Sequence, residues 1–355
     1  MLHTPFYDPT KTYEENCQDG PFGAFADGTK FENRQPPQHT FLGQKVFLPF
    51  GIAPGPLVNG KFVKAALDKG FDIVAYKTVR TKKHPVHPWP NVVAVTTEKN
   101  LTIEQAQNGL TQNPQFQEPL AITNSFGVPS FDPDVWQPDF HDTVAYAKEG
   151  QVVVGGFQGT PSGDTATYIN DFVLAARLLQ EAGAKVLEAN LSCPNEGTGH
   201  LLCFDIERVK TIAVAIKNEI GNTPLLLKMA YFKEQSMLEQ FIQEIGPITD
   251  GFSMINTIAA KVYDQAGNQA LPGEGRLTSG VCGSPIRWAG LDMVSRVKTL
   301  REQLGLSFAI VGVGGVTTPA DYAAYRLAGA DAVECATGAM WNPYLAQEIK
   351  QTVSH

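Results

Sequence analysis

The chain has 355 residues, 43% of them apolar, and a formal net charge of −8. That length admits one large α/β domain or two ordinary ones, and the negative balance argues against nucleic acid as a partner, because phosphate backbones need a basic face. No apolar run reaches the ~18 to 20 residues of a membrane helix, and the opening MLHTPFYDPTKTYEENCQDG lacks the basic and apolar regions of a secretory leader, so neither a membrane nor export is expected.

Residues 1–45 are punctuated by Gly20, Pro21, Gly23, Gly28, Pro36 and Pro37 and carry no periodic apolar pattern. They read as an N-terminal, loop-rich extension packed on a domain that spans 46–355. From Phe47 onward, short β-rich runs alternate with segments of helical period. The runs are FLPFGIA (47–53), DIVAYKT (72–78), VVVGGF (152–157), KVLEANLS (185–192), PLLLKMA (224–230), GFSMIN (251–256), FAIVGVGG (308–315) and DAVECAT (331–337).

Asp164, Asp205 and Thr318 stand where helix N-caps belong, and Gly183, Gly221 and Gly329 where helices should stop. Eight strands, most followed by a helix, predict a (β/α)8 TIM barrel of the α/β class. The doubly wound alternative lacks a G-x-G-x-x-G after the first strand. Two irregular insertions, at about 79–130 and 257–285, follow strands two and six; loops of that length are more often functional than incidental.

Barrel enzymes carry their chemistry at the C-terminal ends of the strands. Those ends hold Lys77-Thr78, Asn190, Lys228, Asn256-Thr257, Gly314-Gly315 and Thr337-Gly338. Burying an unpaired ammonium costs several kcal/mol, so two lysines inside VAYKTV and LLLKMA favour a site for an electron-rich ligand. IVGVGGVTTPADY and AVECATGAM place two small-residue turns and a helix start after strands seven and eight, where barrels bind phosphate.

A phosphate site, two lysines and no nicotinamide fingerprint point to FMN, whose reduced ring a lysine at the N1/O2 edge would stabilise. A phosphosugar isomerase is the competing reading, but the strand ends show neither paired carboxylates nor a His. Glu188 and Glu334 are expected to be structural or helix-facing acids. The five cysteines (Cys17, Cys193, Cys203, Cys282 and Cys335) are scattered without a C-x-x-C pair or a His cluster. No metal is expected, and a reducing compartment, the cytoplasm, is. Cys203 and Cys282 are read as structural. KKHPVHPWPN (82–91) is read as a rigid loop over the barrel mouth rather than a metal site.

Lys77-Thr78, ITNSFGVPS, NLSCPN, LLLKM, MINT, TSGVCGSPI and VGVGGV, in order over about residues 47–342, together resemble the dihydroorotate dehydrogenase family. Within it they resemble the class 1 branch, whose base is a cysteine. The resemblance implies oxidation of dihydroorotate to orotate in pyrimidine biosynthesis, with Cys193 removing the C5 proton and hydride passing from C6 to N5 of FMN. It implies that Lys77, Asn124, Gly127, Val128, Asn190, Asn195, Asn256 and Thr257 bind the substrate. It assigns FMN to Ala53, Gly55, Lys77, Thr78, Asn190, Lys228, Gly283, Gly314, Gly315, Thr337 and Gly338. The EGTGH continuation would let the Cys193 loop open and close.

Partners follow from the same resemblance: a homodimer, with fumarate as electron acceptor or NAD through a separate iron–sulfur/FAD subunit. Asn91 stands where fumarate-using members carry an arginine, which leaves the acceptor open. A dihydropyrimidine (dihydrouracil-type) dehydrogenase on the same barrel is the near rival, although it has His in place of Asn195. A non-catalytic flavin-binding barrel is the rival from another class.

Overall fold

Eight parallel strands hydrogen-bond in chain order until the last meets the first, closing a barrel. They are β1 (Phe50–Ile52), β2 (Ile73–Val79), β3 (Val152–Phe157), β4 (Val186–Asn190), β5 (Leu225–Met229), β6 (Gly251–Met254), β7 (Ala309–Val313) and β8 (Ala332–Cys335). The computed structural model describes residues 2–33, 35–161, 164–192 and 201–353. Because strands buried on both faces read as near-continuous apolar stretches, each strand falls inside its predicted run except β2, which continues one residue further to Val79.

Alternate residues of these strands divide between two apolar clusters. Ile73, Ala75, Val154, Val186, Leu226 and Val311 pack against one another inside the barrel, whereas Val74, Tyr76, Leu187, Leu227, Phe252 and Ile310 join the larger cluster outside it. The outer set meets the helices Thr165–Glu181, Ile206–Ile220, Gln235–Ile245, Arg287–Gln303 and Pro319–Ala328.

Caps sit where the sequence placed them. Asp164 accepts from Thr167 N at 2.8 Å, Asp205 from Arg208 N at 3.2 Å and Thr318 from Asp321 N at 3.3 Å. Gly183, Gly221 and Gly329 follow their helices with φ of 99°, 59° and 112°, a region that only glycine enters without strain. Among the described residues no helix is long and apolar enough to cross a membrane.

The insertions are not irregular, contrary to the sequence reading. Strands Val92–Thr96, Leu110–Asn113, Ala121–Asn124, Ile258–Tyr263 and Thr278–Gly283 close a second, five-stranded barrel. Its strands are short and bounded by Pro, Gly and Asn, and its pairings, such as Asn124 with Gly280, join segments from the two insertions. Neither insertion contains the sheet alone, so local pattern could not reveal it.

The first 45 residues also hold more structure than expected. Helix Tyr13–Asp19 starts at a capping box in which Thr12 and Glu15 exchange side-chain and backbone bonds. The hairpin His39–Phe41 with Gln44–Val46 buries Phe41 and Val46 against the inner cluster of the eight-stranded barrel.

Candidate active site

Six of the eight strands end in, or lead directly to, residues that meet in one cavity, which the second barrel also walls. Ala53 and Gly55 follow β1, Lys77 and Thr78 end β2, Asn190 ends β4 and Lys228 lies in β5. Asn256 and Thr257 follow β6, Thr337 follows β8, and Asn124, Val128 and Cys282 come from the insertions. The β2–β3 register shifts between Tyr76 and Val79. An irregularity of that kind redirects side chains, and it falls on Lys77 and Thr78.

The asparagines hold one another. Asn190 Nδ2 donates to Gln158 Oε1 at 2.7 Å, and Asn256 Nδ2 donates to Asn190 Oδ1 at 3.4 Å and to Ser192 Oγ at 3.1 Å. Asn124 Nδ2 donates to Gly280 O at 3.4 Å and to Cys282 Sγ at 3.6 Å. Uncharged donor–acceptor groups are thus fixed on two sides of the cavity, from β4, the segment after β6 and the second barrel.

Both lysines are buried. Lys77 Nζ lies 3.5 Å from Thr78 O. Lys228 Nζ has no hydrogen-bond partner among the described residues, and its ion partner, Glu188 Oε1, is 3.8 Å away. Of the two readings offered for Glu188 and Glu334, structural or helix-facing, the helix-facing one is corrected. They share strand parity with Val186 and Ala332 of the inner cluster, and both are buried inside the barrel.

Five predicted residues are not on the cavity wall. Gly127 packs under His87, whose Nε2 would lie 2.5 Å from an added Cβ. Gly283 and Gly315, at φ of 99° and 70°, back onto each other: a Cβ on Gly315 would sit 2.9 Å from Gly283 O and 2.7 Å from Arg287 Cβ. Gly314, at φ of 122°, precedes Gly315. A Cβ on Gly338 would meet Val316 O at 2.1 Å. Gly283, Gly315 and Gly338 therefore let the turns after the last insertion strand, β7 and β8 pack closely against backbone atoms, while Gly314 supplies the positive φ of the β7 turn.

The helix start at Thr317 and Thr318 is not open to an anion as the sequence suggested. Asp321 Oδ2 accepts both backbone N–H groups at 3.0 Å, and Arg287 pairs with the same carboxylate. Any phosphate site here belongs to the glycine turns.

Cys193 and Asn195 lie outside the described residues. Cys203 is buried, and burial pushes its thiol up to about 12. Cys282, read as structural, instead lines the cavity, where burial raises its thiol while Thr337 and Asn124 oppose the shift.

The 82–91 segment is tied over the mouth by Arg276. That guanidinium donates to Pro88 O at 2.7 Å, Pro90 O at 3.2 Å and Ser125 O at 2.7 Å. Sequence reasoning missed Arg276, Gln158, Tyr7 and Phe126. Only Gln158, directly after the third predicted strand, carried a positional signal; Tyr7 comes from the N-terminal segment and reaches the cavity through tertiary packing.

The family model described as "Dihydroorotate dehydrogenase" matches residues 99–355. The chain is 34% identical, over 98% of its length and 97% of the relative's, to "Dihydroorotate dehydrogenase" of Dictyostelium discoideum. It is 28% identical, over 74% of its length and 80% of the relative's, to "Dihydroorotate dehydrogenase B (NAD(+)), catalytic subunit" of Desulforamulus reducens. The crystal structure of the Eimeria tenella DHODH in complex with ferulenol superposes with a TM-score of 0.71 at 19% identity, covering 92% of this chain and 87% of that one. At that identity the superposition speaks for the barrel fold.

Proposed function

The chain belongs to the dihydroorotate dehydrogenase family and oxidises dihydroorotate to orotate, and from that premise we propose that FMN is its flavin and that the cavity at the barrel mouth is the active site. The observation that carries the proposal is the cavity wall, where Asn124, Asn190 and Asn256 converge with Lys77 and Lys228 among apolar side chains. A pyrimidine ring with alternating C=O and N–H groups asks for donors and acceptors without added charge, which planar amides provide.

Two features suit a flavin. One is the buried Lys228 Nζ, which no described residue hydrogen-bonds; the other is the glycine cradle of Gly283, Gly314, Gly315 and Gly338. In this proposal the cradle and Thr337 hold the phosphate, Lys228 meets the ring's electron-rich edge, and Ala53, Gly55 and Thr78 contact the cofactor from β1 and β2. Bound there, FMN supplies the acceptor for the hydride that leaves C6.

The remaining roles belong to the chain's own groups. Lys77 neutralises the substrate carboxylate, Thr257 and Val128 complete the wall around the asparagines, and Gly127, packed under His87, shapes the turn that presents Val128. Cys193 takes the C5 proton as a thiolate, which a nearby cation would favour at neutral pH, and Asn195 contacts the ring from the same loop. The five scattered cysteines support a reducing, cytoplasmic setting, and a homodimer is proposed as the working unit.

The test is to release the flavin from purified protein, identify it by mass, and assay the chain alone with dihydroorotate and fumarate. FMN is the expected flavin; FAD, or no flavin after reconstitution, would contradict the proposal. Turnover with fumarate assigns the acceptor to the chain itself. Flavin reduction without fumarate turnover assigns it to NAD and a separate iron–sulfur/FAD subunit.

A further inference from the structure

Beneath the cavity lie two acids that the reaction just described does not use, beside a lysine that it does. Glu188 of β4, Lys228 of β5 and Glu334 of β8 all project into the barrel, with exposures of 2%, 4% and 0%. Glu188 Oε2, both Glu334 carboxyl oxygens, Lys228 Nζ and the neighbouring Ser253 Oγ have no hydrogen-bond partner among the described residues. Glu188 and Lys228 are the charges that act on Glu334.

Other elements add little charge at this level. β6 presents the Ser253 hydroxyl beside Lys228, while β2, β3 and β7 present the apolar Ala75, Val154 and Val311. Lys77 of β2 stands one inward position nearer the mouth.

With every group ionised, this buried set would carry one cation against two carboxylates. Two like charges in a low-dielectric interior do not both ionise at neutral pH when one cation is available. Glu188, 3.8 Å from Lys228, has the cation; Glu334 has no described ion partner. Resting on the flavin reading above, we propose that Glu334 holds a proton while Glu188 pairs with Lys228. Release of that proton to solvent puts a second negative charge under the flavin and makes the flavin harder to reduce.

Burial, with Glu188 adding to it and Lys228 opposing, pushes the Glu334 carboxyl up to about 8. The proton is therefore present at neutral pH and leaves in mildly alkaline solution. Glu334 acts through Lys228 and the local field, as a positioning residue for charge rather than a group in contact with substrate.

Infrared spectra of the holoprotein, made with isotope-labelled glutamate, read the proton directly. The label separates glutamate from Asp72, another buried carboxyl, which burial pushes up to about 7. A protonated-glutamate carbonyl band should be present at neutral pH and vanish on titration through about 8. It should be absent in Glu334→Gln, and in Glu188→Gln its loss should move to lower pH, because Glu334 then inherits Lys228. A wild-type spectrum without the band, or a band that persists in Glu334→Gln, overturns the proposal without needing a variant that matches wild-type stability.

The flavin's reduction potential is the second readout. Wild type and Glu334→Gln should coincide below neutrality, and above the transition the wild type should be harder to reduce by about tenfold, or about 30 mV for a two-electron couple. Coincident potentials at every pH, with the band still titrating, would reduce the acid pair to a structural role. Protein that binds no flavin would instead sink the cofactor reading, and the effect on reduction with it, while the infrared band still reports the Glu334 proton.

Discussion

Gln158 Oε1 accepts the Asn190 amide at 2.7 Å, and this bond decides what Asn190 can offer a ligand. With Nδ2 committed to Gln158, Asn190 presents Oδ1 towards Asn256 and Ser192. Gln158, 1% exposed, follows β3 and braces a residue that ends β4, so the orientation of one strand end is set by its neighbour.

Removing the brace should loosen recognition more than folding. Gln158→Leu leaves a partly buried amide donor unmatched, a loss of roughly 1–3 kcal/mol, so kcat/KM for dihydroorotate should fall at least about tenfold, chiefly through KM. Steady-state kinetics check this. Unchanged KM would show that Asn190 keeps its orientation without Gln158.

The glycine cradle makes a steric prediction. A Cβ on Gly338 would lie 2.1 Å from Val316 O, a backbone atom that cannot step aside as a flexible side chain can. Gly338→Ala should cost about 1–3 kcal/mol from overpacking and weaken flavin retention together. Thermal unfolding and flavin content on gel filtration measure both. Full flavin retention in a destabilised variant would separate the cradle from the cofactor.

Arg276 is 3% exposed, and burial lowers it only to about 10, so it stays cationic at neutral pH. Its carbonyl bonds join the 82–91 segment, the Ser125 turn and the second insertion. Arg276→Met should lower stability by about 3 kcal/mol, as several buried acceptors lose their donor, and should raise the KM for dihydroorotate because the Asn124 wall loosens. Denaturant unfolding and kinetics test the two halves. A fall in stability with an unchanged KM would confine Arg276 to scaffolding.

Acid should weaken the same corner. Burial, with Arg80 and His87 adding to it, pushes His84 down to about 4 from 6.5. The unfolded chain therefore binds more protons than the folded one in that interval. The contribution of His84 is complete above 6.5 and is lost as pH falls towards 4. Unfolding temperatures across this range should decline, and His84→Gln should flatten the decline. Equal slopes in both proteins would refute the assignment to His84.

Much of the barrel was legible because its strands are buried on both faces and read as apolar runs with capped helices between them. The second barrel was not, since its five short strands pair across the two insertions and no single segment shows the sheet. Strand ends exposed Lys77, Asn190 and Lys228, whereas the inward facing of Glu188 and Glu334 emerged only once closure assigned each strand an inside. Tyr7 reaches the cavity, and Arg276 the 82–91 segment and the Ser125 turn beside it, through tertiary packing, and nothing local in their sequence marks them.

The central claim, that this cavity oxidises dihydroorotate through a bound flavin with Cys193 as base, is tested most directly by anaerobic titration of the holoprotein with dihydroorotate. The visible flavin band is followed beside Cys193→Ala and a dihydrouracil control. The account predicts bleaching by dihydroorotate alone, slowed by at least about a hundredfold in the variant, in keeping with the usual contribution of a positioned base. A flavin that dihydroorotate leaves oxidised, or that the variant bleaches at the wild-type rate, would contradict it.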